Sequence, residues 1–243
     1  MAEMAQVPAL TIQSADVLEA PRHTALVRIT HWIHTVSFLA LVVSGIAILL
    51  AHPRLYWGET GAVGTPSLID LPLPFVLDIP IRGPGRYLHF LSAWVFVSIG
   101  LLYVISGFFT RHFRKNLLPT KGQFSWSAIS RVVSNHLRLK RPSEDESLTY
   151  NVLQRLTYLA VVFLLTPLII LTGLAMSPAV TSVFPIVVNV FGGQQSARTI
   201  HFFVSCFLVL FLLVHIAMVC LAGFKKRMRA MITGHAAARK EPS

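Results

Sequence analysis

Four long apolar runs alternate along the chain with polar, basic or proline-rich stretches. They extend from about Ala25 to Leu50 (ALVRITHWIHTVSFLALVVSGIAILL), Tyr87 to Thr110, Val152 to Met176 and Arg198 to Gly223. Each exceeds the roughly 20 residues that cross a bilayer as a helix, so the pattern predicts four transmembrane helices. Pro167 predicts a kink in the third. Residues Ser177 to Ala197 are also fairly apolar (VFPIVVNVFGG), but Pro185 and Gly192-Gly193 leave them too broken to span. The first connection, His52 to Gly85, holds six prolines. It is too long for a simple connector and is expected to pack as a lid on the membrane surface. In Arg111 to Arg141, Phe124, Trp126, Ile129, Val132, Val133 and Leu137 recur at roughly helical spacing among Arg131, His136 and Arg138. That suits an amphipathic helix on the membrane surface, with an ordinary loop as the alternative. Pro142 and Glu144-Asp145-Glu146 close the segment.

Composition agrees with the pattern. Mean hydropathy over the 243 residues is +0.64, and only 13% are charged, against about 25% in soluble domains. The net charge of +11 does not point to nucleic acid, because the basic residues cluster beside the apolar runs. Seventeen Lys and Arg fall on the side of the two termini and the second connection, and four (Arg54, Arg82, Arg86, Arg198) on the other. The positive-inside rule then puts both termini in the cytoplasm. The expected fold is an all-α integral membrane four-helix bundle with a long proline-rich outer loop, in a bacterial inner membrane and in contact with lipid. Residues 1–24 are expected to form a flexible cytoplasmic tail, and they lack the basic and apolar regions of a signal peptide. Residues 25–224 form the membrane domain, and 225–243 a basic cytoplasmic tail. Cys206 and Cys220 lie in apolar helix, and no CxxC or CxxCH occurs, which argues against a zinc knuckle or covalently attached haem.

The chemistry lies in the histidines. His201 and His215 bracket thirteen uncharged residues. Fourteen steps of about 1.5 Å separate them by about 21 Å along a helix, and 100° per step returns them to nearly the same face. With the topology above, His201 lies at the outer start of span four and His215 near its cytoplasmic end. His89 lies at the outer start of span two, and His31 and His34 near the cytoplasmic start of span one. Depth therefore pairs His89 with His201, and His31 or His34 with His215. Ionisable residues within spans are functional candidates, and antiparallel helices can project such ligands into a bundle core. Two imidazoles per level, without a clear carboxylate or thiolate, suit the axial positions of haem iron better than a tetrahedral zinc site. With both axial positions filled, such an iron moves electrons rather than binding oxygen.

The string R-x-x-H occurs at Arg28–His31, Arg86–His89 and Arg198–His201. Each arginine lies one turn nearer the membrane surface than its histidine, where it could pair with a haem propionate. Anchoring of helix ends is the alternative role. The repeat favours His31 as the span-one ligand and leaves His34 as a neighbour, a partner for a propionate or a quinone. Gly45 lies fourteen residues after His31, at the depth of the outer pair, where a missing Cβ lets a macrocycle approach the backbone. Helix packing would explain it equally well.

At these residues the sequence resembles the di-haem cytochrome b subunits of bacterial respiratory oxidoreductases. Examples are the gamma subunit of formate dehydrogenase-N, the cytochrome b subunit of nickel–iron hydrogenase and the cytochrome subunit of thiosulfate reductase. The markers are Arg28-Ile-Thr-His31-Trp32 with Ser44-Gly45, Gly85-Arg86-Tyr87-Leu88-His89, Tyr150-Asn151 with Gln154, Thr172-Gly173, and His201 with His215. The resemblance implies two haem b groups, one held by His31 and His215 and the other by His89 and His201. It also implies a quinone site near the start of span three, with Asn151 and Gln154 as hydrogen-bonding residues. Leu153 stands where the formate dehydrogenase subunit has a glycine, and the proline-rich loop resembles the thiosulfate-reductase-like branch more. That loop is expected to help dock a molybdopterin- or iron–sulfur-containing oxidoreductase subunit.

The expected function is thus electron transfer between the quinone pool and a partner redox subunit, with no catalytic residues in the chain itself. No dinucleotide fingerprint, phosphate loop, HExxH or nucleophile elbow is present. One rival reading is a stand-alone cytochrome b561-like transmembrane reductase. Another is a transporter or anchor with incidental histidines.

Overall fold

The computed structural model describes residues 24–61, 64–71, 82–110 and 152–234. Its frame is four long helices, each long and apolar enough to cross a membrane. The first, α1 (Ala25–Ala51), starts where the Thr24 side chain accepts a hydrogen bond from the Val27 amide and stops before Pro53. The second, α2 (Arg82–Phe109), runs back along α1. The third span is composite: α3 (Val152–Ala160), a π-helical turn (Val161–Leu165) and α4 (Thr166–Ala175). Proline has no amide hydrogen and crowds the carbonyl four residues earlier. The widened turn lies directly before Pro167, so the irregularity expected at that proline takes the form of a π-turn. Two short helices follow, α5 (Pro178–Thr181) and α6 (Ile186–Asn189). The fourth span, α7 (Gln194–Leu221), packs against α4.

Most of the buried residues in the spans are small or hydroxyl-bearing, with Val204 and Leu208 of α7 the larger ones among the described residues. On α1, Thr30, Ser37 and Ser44 recur every seven residues and are buried, whereas Val36 and Val43 are 67% and 63% exposed. Ser196, Ala197 and Thr199 of α7 and Thr172 and Ala175 of α4 are also buried. Small residues let helix backbones approach, and a lipid solvent accepts the bulky side chains outside. The buried hydroxyls of α1 bond back to carbonyls of their own helix, Thr30 to Leu26 and Ser37 to His34. Each of these two hydroxyls thereby keeps a hydrogen-bond partner.

Two features tie the ends of the bundle. At the His201 end, the loop after α1 forms a small antiparallel pair, β1 (Arg54–Leu55) with β2 (Ile69–Asp70), and Leu55 is fully buried. The start of α7 carries no side-chain cap, and the loop backbone takes that role. The Gly58 carbonyl accepts from the amides of Gln195 (3.0 Å) and Ser196 (3.3 Å), and the Gly58 amide donates to Ser196 Oγ (2.7 Å). Thr199 Oγ1 donates to the Tyr56 carbonyl at 2.6 Å, and Arg198 donates to the His52 carbonyl. Gly193 has φ +118°, and a Cβ there would collide with the Gly58 carbonyl. The expected lid is therefore a clasp on the head of α7.

At the other end, Gly223 (φ +96°) stops α7, and a further helix, α8 (Phe224–Thr233), follows. The sequence reading takes residues 225–243 as a basic tail, without a helix in it. The structure instead folds its first part into a helix closed by Gly234, whose amide reaches the Ala230 carbonyl at 3.0 Å. Ala230 is buried, while Lys225, Lys226 and Arg229 face outward. The last carbonyls of α8 are held by α1: Arg28 Nη1 donates to Ile232 O (2.7 Å) and Trp32 Nε1 to Met231 O (3.2 Å). The amphipathic segment expected in 111–141 and the tail 1–23 lie outside the described residues.

Candidate functional site

Two histidine pairs lie inside the bundle. His89 of α2 faces His201 of α7, with ring centres 6.3 Å apart and planes at 59°. His31 of α1 faces His215 of α7, with ring centres 6.4 Å apart and planes at 49°. The structure thus brings His89 to His201, as depth pairs them in the sequence, and of the two span-one candidates for His215 it brings His31. Each pair joins a helix of the first hairpin to α7.

His34 is not part of either pair. Its ring meets Phe96 edge-on at 4.5 Å between centres, and a Cβ on Gly100 would lie 3.6 Å from its Nε2. His34 therefore sits in the seam between α1 and α2.

The surroundings of the two pairs differ. At the His201 end, Ser44 Oγ lies 3.0 Å from His89 Nδ1, and Thr172 Oγ1 lies 3.0 Å from His201 Nδ1. The next residue after each hydroxyl is a glycine. A Cβ on Gly45 would sit 3.7 Å from His89 Cε1, and one on Gly173 3.5 Å from His201 Cε1. Gly45 is thus at the level of this pair, as its spacing from His31 implies. At the other end the neighbours are aromatic. Trp32 stands perpendicular to His31 at 5.4 Å, and Phe211 lies nearly parallel to His215 at 5.9 Å.

Among the described residues, no third His, Cys, Asp or Glu completes a metal cluster with either pair. The donor set at each level is two imidazoles. An imidazole–metal bond is about 2 Å, and about 1.1 Å separates a ring nitrogen from its ring centre, so a metal held between two rings sets the centres about 6 Å apart. Both observed separations match. The two glycines leave space beside the rings that a methyl group would fill. These residues fit a haem iron between two axial histidines.

The family described as prokaryotic cytochrome b561 matches residues 22–234. The chain belongs to that family. The match runs through all four spans and both pairs, so the cytochrome is a multi-pass membrane electron-transfer protein, for which the family implies haem b. It is also similar to a protein of Azospira oryzae that carries the name protein-methionine-sulfoxide reductase subunit YedZ1. The two are 32% identical over 213 residues, 88% of this chain and 96% of that one. No solved structure matches the cytochrome.

The arginines singled out by sequence have partners of a different kind. In the cytochrome, Arg28 and Arg198 each give a guanidinium hydrogen to a backbone carbonyl, that of Ile232 and that of His52. That is the helix-anchoring role weighed against the propionate role. Arg28 Nε is nevertheless buried without a partner, one turn from His31, and Arg86 is exposed one turn from His89. Asn151 lies outside the described residues, and Gln154 is described only as part of α3. Sequence reasoning did not assign roles to the hydroxyls of Ser44 and Thr172. The available signal was a hydroxyl–glycine dipeptide on the helix preceding each of His89 and His201, at the same depth.

Proposed function

We propose that this chain carries electrons across a bacterial inner membrane through two b-type haems, as the electron-transfer subunit of an oxidoreductase. His89 and His201 would hold the outer haem, and His31 and His215 the inner one. Each haem supplies a one-electron Fe(III)/Fe(II) couple when bound. The chain's own residues hold the ligands at two depths on α7, exclude water with small-residue packing, and clamp both ends of the bundle. The observation that carries this reading is the pair of ring separations, 6.3 and 6.4 Å, each suited to one metal atom between two imidazoles. Arg86 and the unpaired Nε of Arg28 are the proposed propionate partners, and Arg198 adds charge at the outer end.

Both termini are assigned to the cytoplasm, by the excess of Lys and Arg on their side. A quinone is assigned to the cytoplasmic end of the third span, with Asn151 and Gln154 as its hydrogen-bonding residues. The name of the Azospira protein, a reductase subunit, supports a reductase as the partner class. The proposed partner class is a molybdopterin- or iron–sulfur-containing subunit at the outer face, seated beside the clasp formed by residues 52–58.

The test is the haem content of the purified protein. A reduced b-type spectrum with two haems per chain is the expected result. Absence of haem, or a stoichiometry of one, overturns the two-haem reading. Co-purification with a soluble redox subunit separates this function from that of a stand-alone reductase.

A further inference from the structure

Ser44 and Thr172 occupy equivalent places in the two halves of the bundle. Both are buried, at 1% and 0% exposure. Ser44 Oγ lies 2.6 Å from the Ala40 carbonyl and 3.2 Å from that of Leu41. Thr172 Oγ1 lies 2.7 Å from the Leu168 carbonyl and 3.1 Å from that of Ile169. Such return bonds are ordinary in membrane helices, and Thr30 and Ser37 on the same stripe make them as well. What Ser44 and Thr172 add is a histidine nitrogen at 3.0 Å on each oxygen.

The short return bonds, 2.6 Å to Ala40 O and 2.7 Å to Leu168 O, set the direction of the histidine contact. A hydroxyl has one hydrogen and two lone pairs, whereas a carbonyl only accepts. With the hydroxyl hydrogen given to the helix carbonyl, the contact to Nδ1 is a bond only where the ring donates. The network therefore assigns Nδ1–H to both His89 and His201. In a neutral imidazole the lone pair is then on Nε2, on the far side of the ring from the hydroxyl.

We infer that Ser44 and Thr172 are positioning residues for the outer haem: each hydroxyl holds its histidine in the Nδ1–H form with Nε2 free to bind iron. The inference rests on the reading of His89 and His201 as haem ligands. The two hydroxyls stand on α1 and α4, so each half of the bundle prepares one axial ligand before iron is present. Gly45 and Gly173, the next residues, keep the adjacent space open.

The full-length protein in detergent or nanodiscs tests this with Ser44→Ala, Thr172→Val and Thr172→Ser. Valine keeps the volume of threonine and removes the hydroxyl, whereas serine keeps the hydroxyl and removes a methyl. The readouts are haem per chain, the low-spin electron paramagnetic resonance signals of the two ferric haems, and the rate of haem transfer to a competing haem-binding protein. Loss of an outer-sphere partner to a metal-bound histidine commonly weakens the site by about 10–100-fold. Ser44→Ala and Thr172→Val are each expected to shift the outer-haem signal and speed loss of that haem at least about tenfold, with the inner haem unchanged. Thr172→Ser is expected to behave as wild type. Alanine and valine variants with wild-type signals and transfer rates overturn the inference. So does a Thr172→Ser variant that resembles Thr172→Val, or a change shared equally by both haems, since either reports packing alone. A wild-type protein without an outer haem overturns the ligand reading itself, and is distinguishable because it appears before any substitution is made.

Discussion

His31 and His34 are three residues apart, which on a helix leaves their side chains about 60° apart in direction. That difference separates a bundle-facing ring from one in a helix seam. His31 meets His215 across the core, and His34 meets Phe96 and the gap over Gly100. Substituting them by alanine should therefore have unequal effects. His31→Ala is expected to lower haem content from two to one per chain. His34→Ala should retain both, with a stability cost of about 2 kcal/mol or less for the lost packing and hydrogen bonding. A haemochrome assay on the two variants checks this directly, and loss of a haem in His34→Ala alone would reassign the ligand. By the same logic, His201→Ala should lose the outer haem and His215→Ala the inner one. The levels of the histidines were legible in the sequence because helical periodicity converts residue number into depth, and the R-x-x-H repeat favours His31 over His34. Ser44 and Thr172 were not legible, because a serine on a membrane helix most often bonds only its own backbone. The tertiary partner shows only when a second helix is in place.

At the scale of elements, spans one to four were legible because a long apolar run has few alternatives in water. The clasp and α8 were not, because their decisive partners are backbone atoms. Any residue supplies a carbonyl, so nothing in the letters at 52, 56, 58, 231 and 232 marks them as acceptors. Gly193 is the exception, as one glycine meets two demands there. Its positive φ strains other residues by about 1–3 kcal/mol, and its Cβ position is taken by Gly58. Gly193→Ala is expected to release the loop from α7, seen as protease cleavage within residues 52–61 and a lower Tm, while the inner haem signal persists. At the opposite end, Arg28→Ala removes a charged donor to the last turn of α8, an interaction worth about 1.5–3 kcal/mol. Faster amide hydrogen exchange across residues 224–233 is the expected outcome. The irregular third span also belongs to this scale: sequence located the break at Pro167, and the structure shows the turn that accommodates it.

For the whole molecule, the asymmetry of charge makes a topological prediction. A reporter fused after residue 243, or a cysteine placed in the 235–243 tail, is expected to be on the cytoplasmic side of spheroplasts. A cysteine at Asp70 of β2 should be labelled from outside. The bundle itself is inverted relative to a soluble core, with hydroxyls and glycines inside and Val36, Trp94 and Phe207 outward. That inversion explains why hydropathy reveals the spans but not their packing. Along each span the apolar residues are nearly continuous, so no apolar stripe marks the inner face. The inner face is read instead from its small residues, and from the histidines that use the space they leave.

The two pairs also have a consequence for how the protein is built. His31 and His89 belong to the hairpin of α1 and α2, whereas His201 and His215 belong to the unit of α4 and α7. Every proposed iron is thus bound half by one hairpin and half by the other. With iron in place, the prosthetic groups act as two rivets across a seam, and their binding free energy becomes assembly free energy. Two separately expressed fragments, divided within residues 111–151, are expected to associate in membranes when haem synthesis is supplied and to separate when it is blocked. On the two-haem proposal, maturation of this cytochrome would depend on haem supply as much as on insertion of its helices.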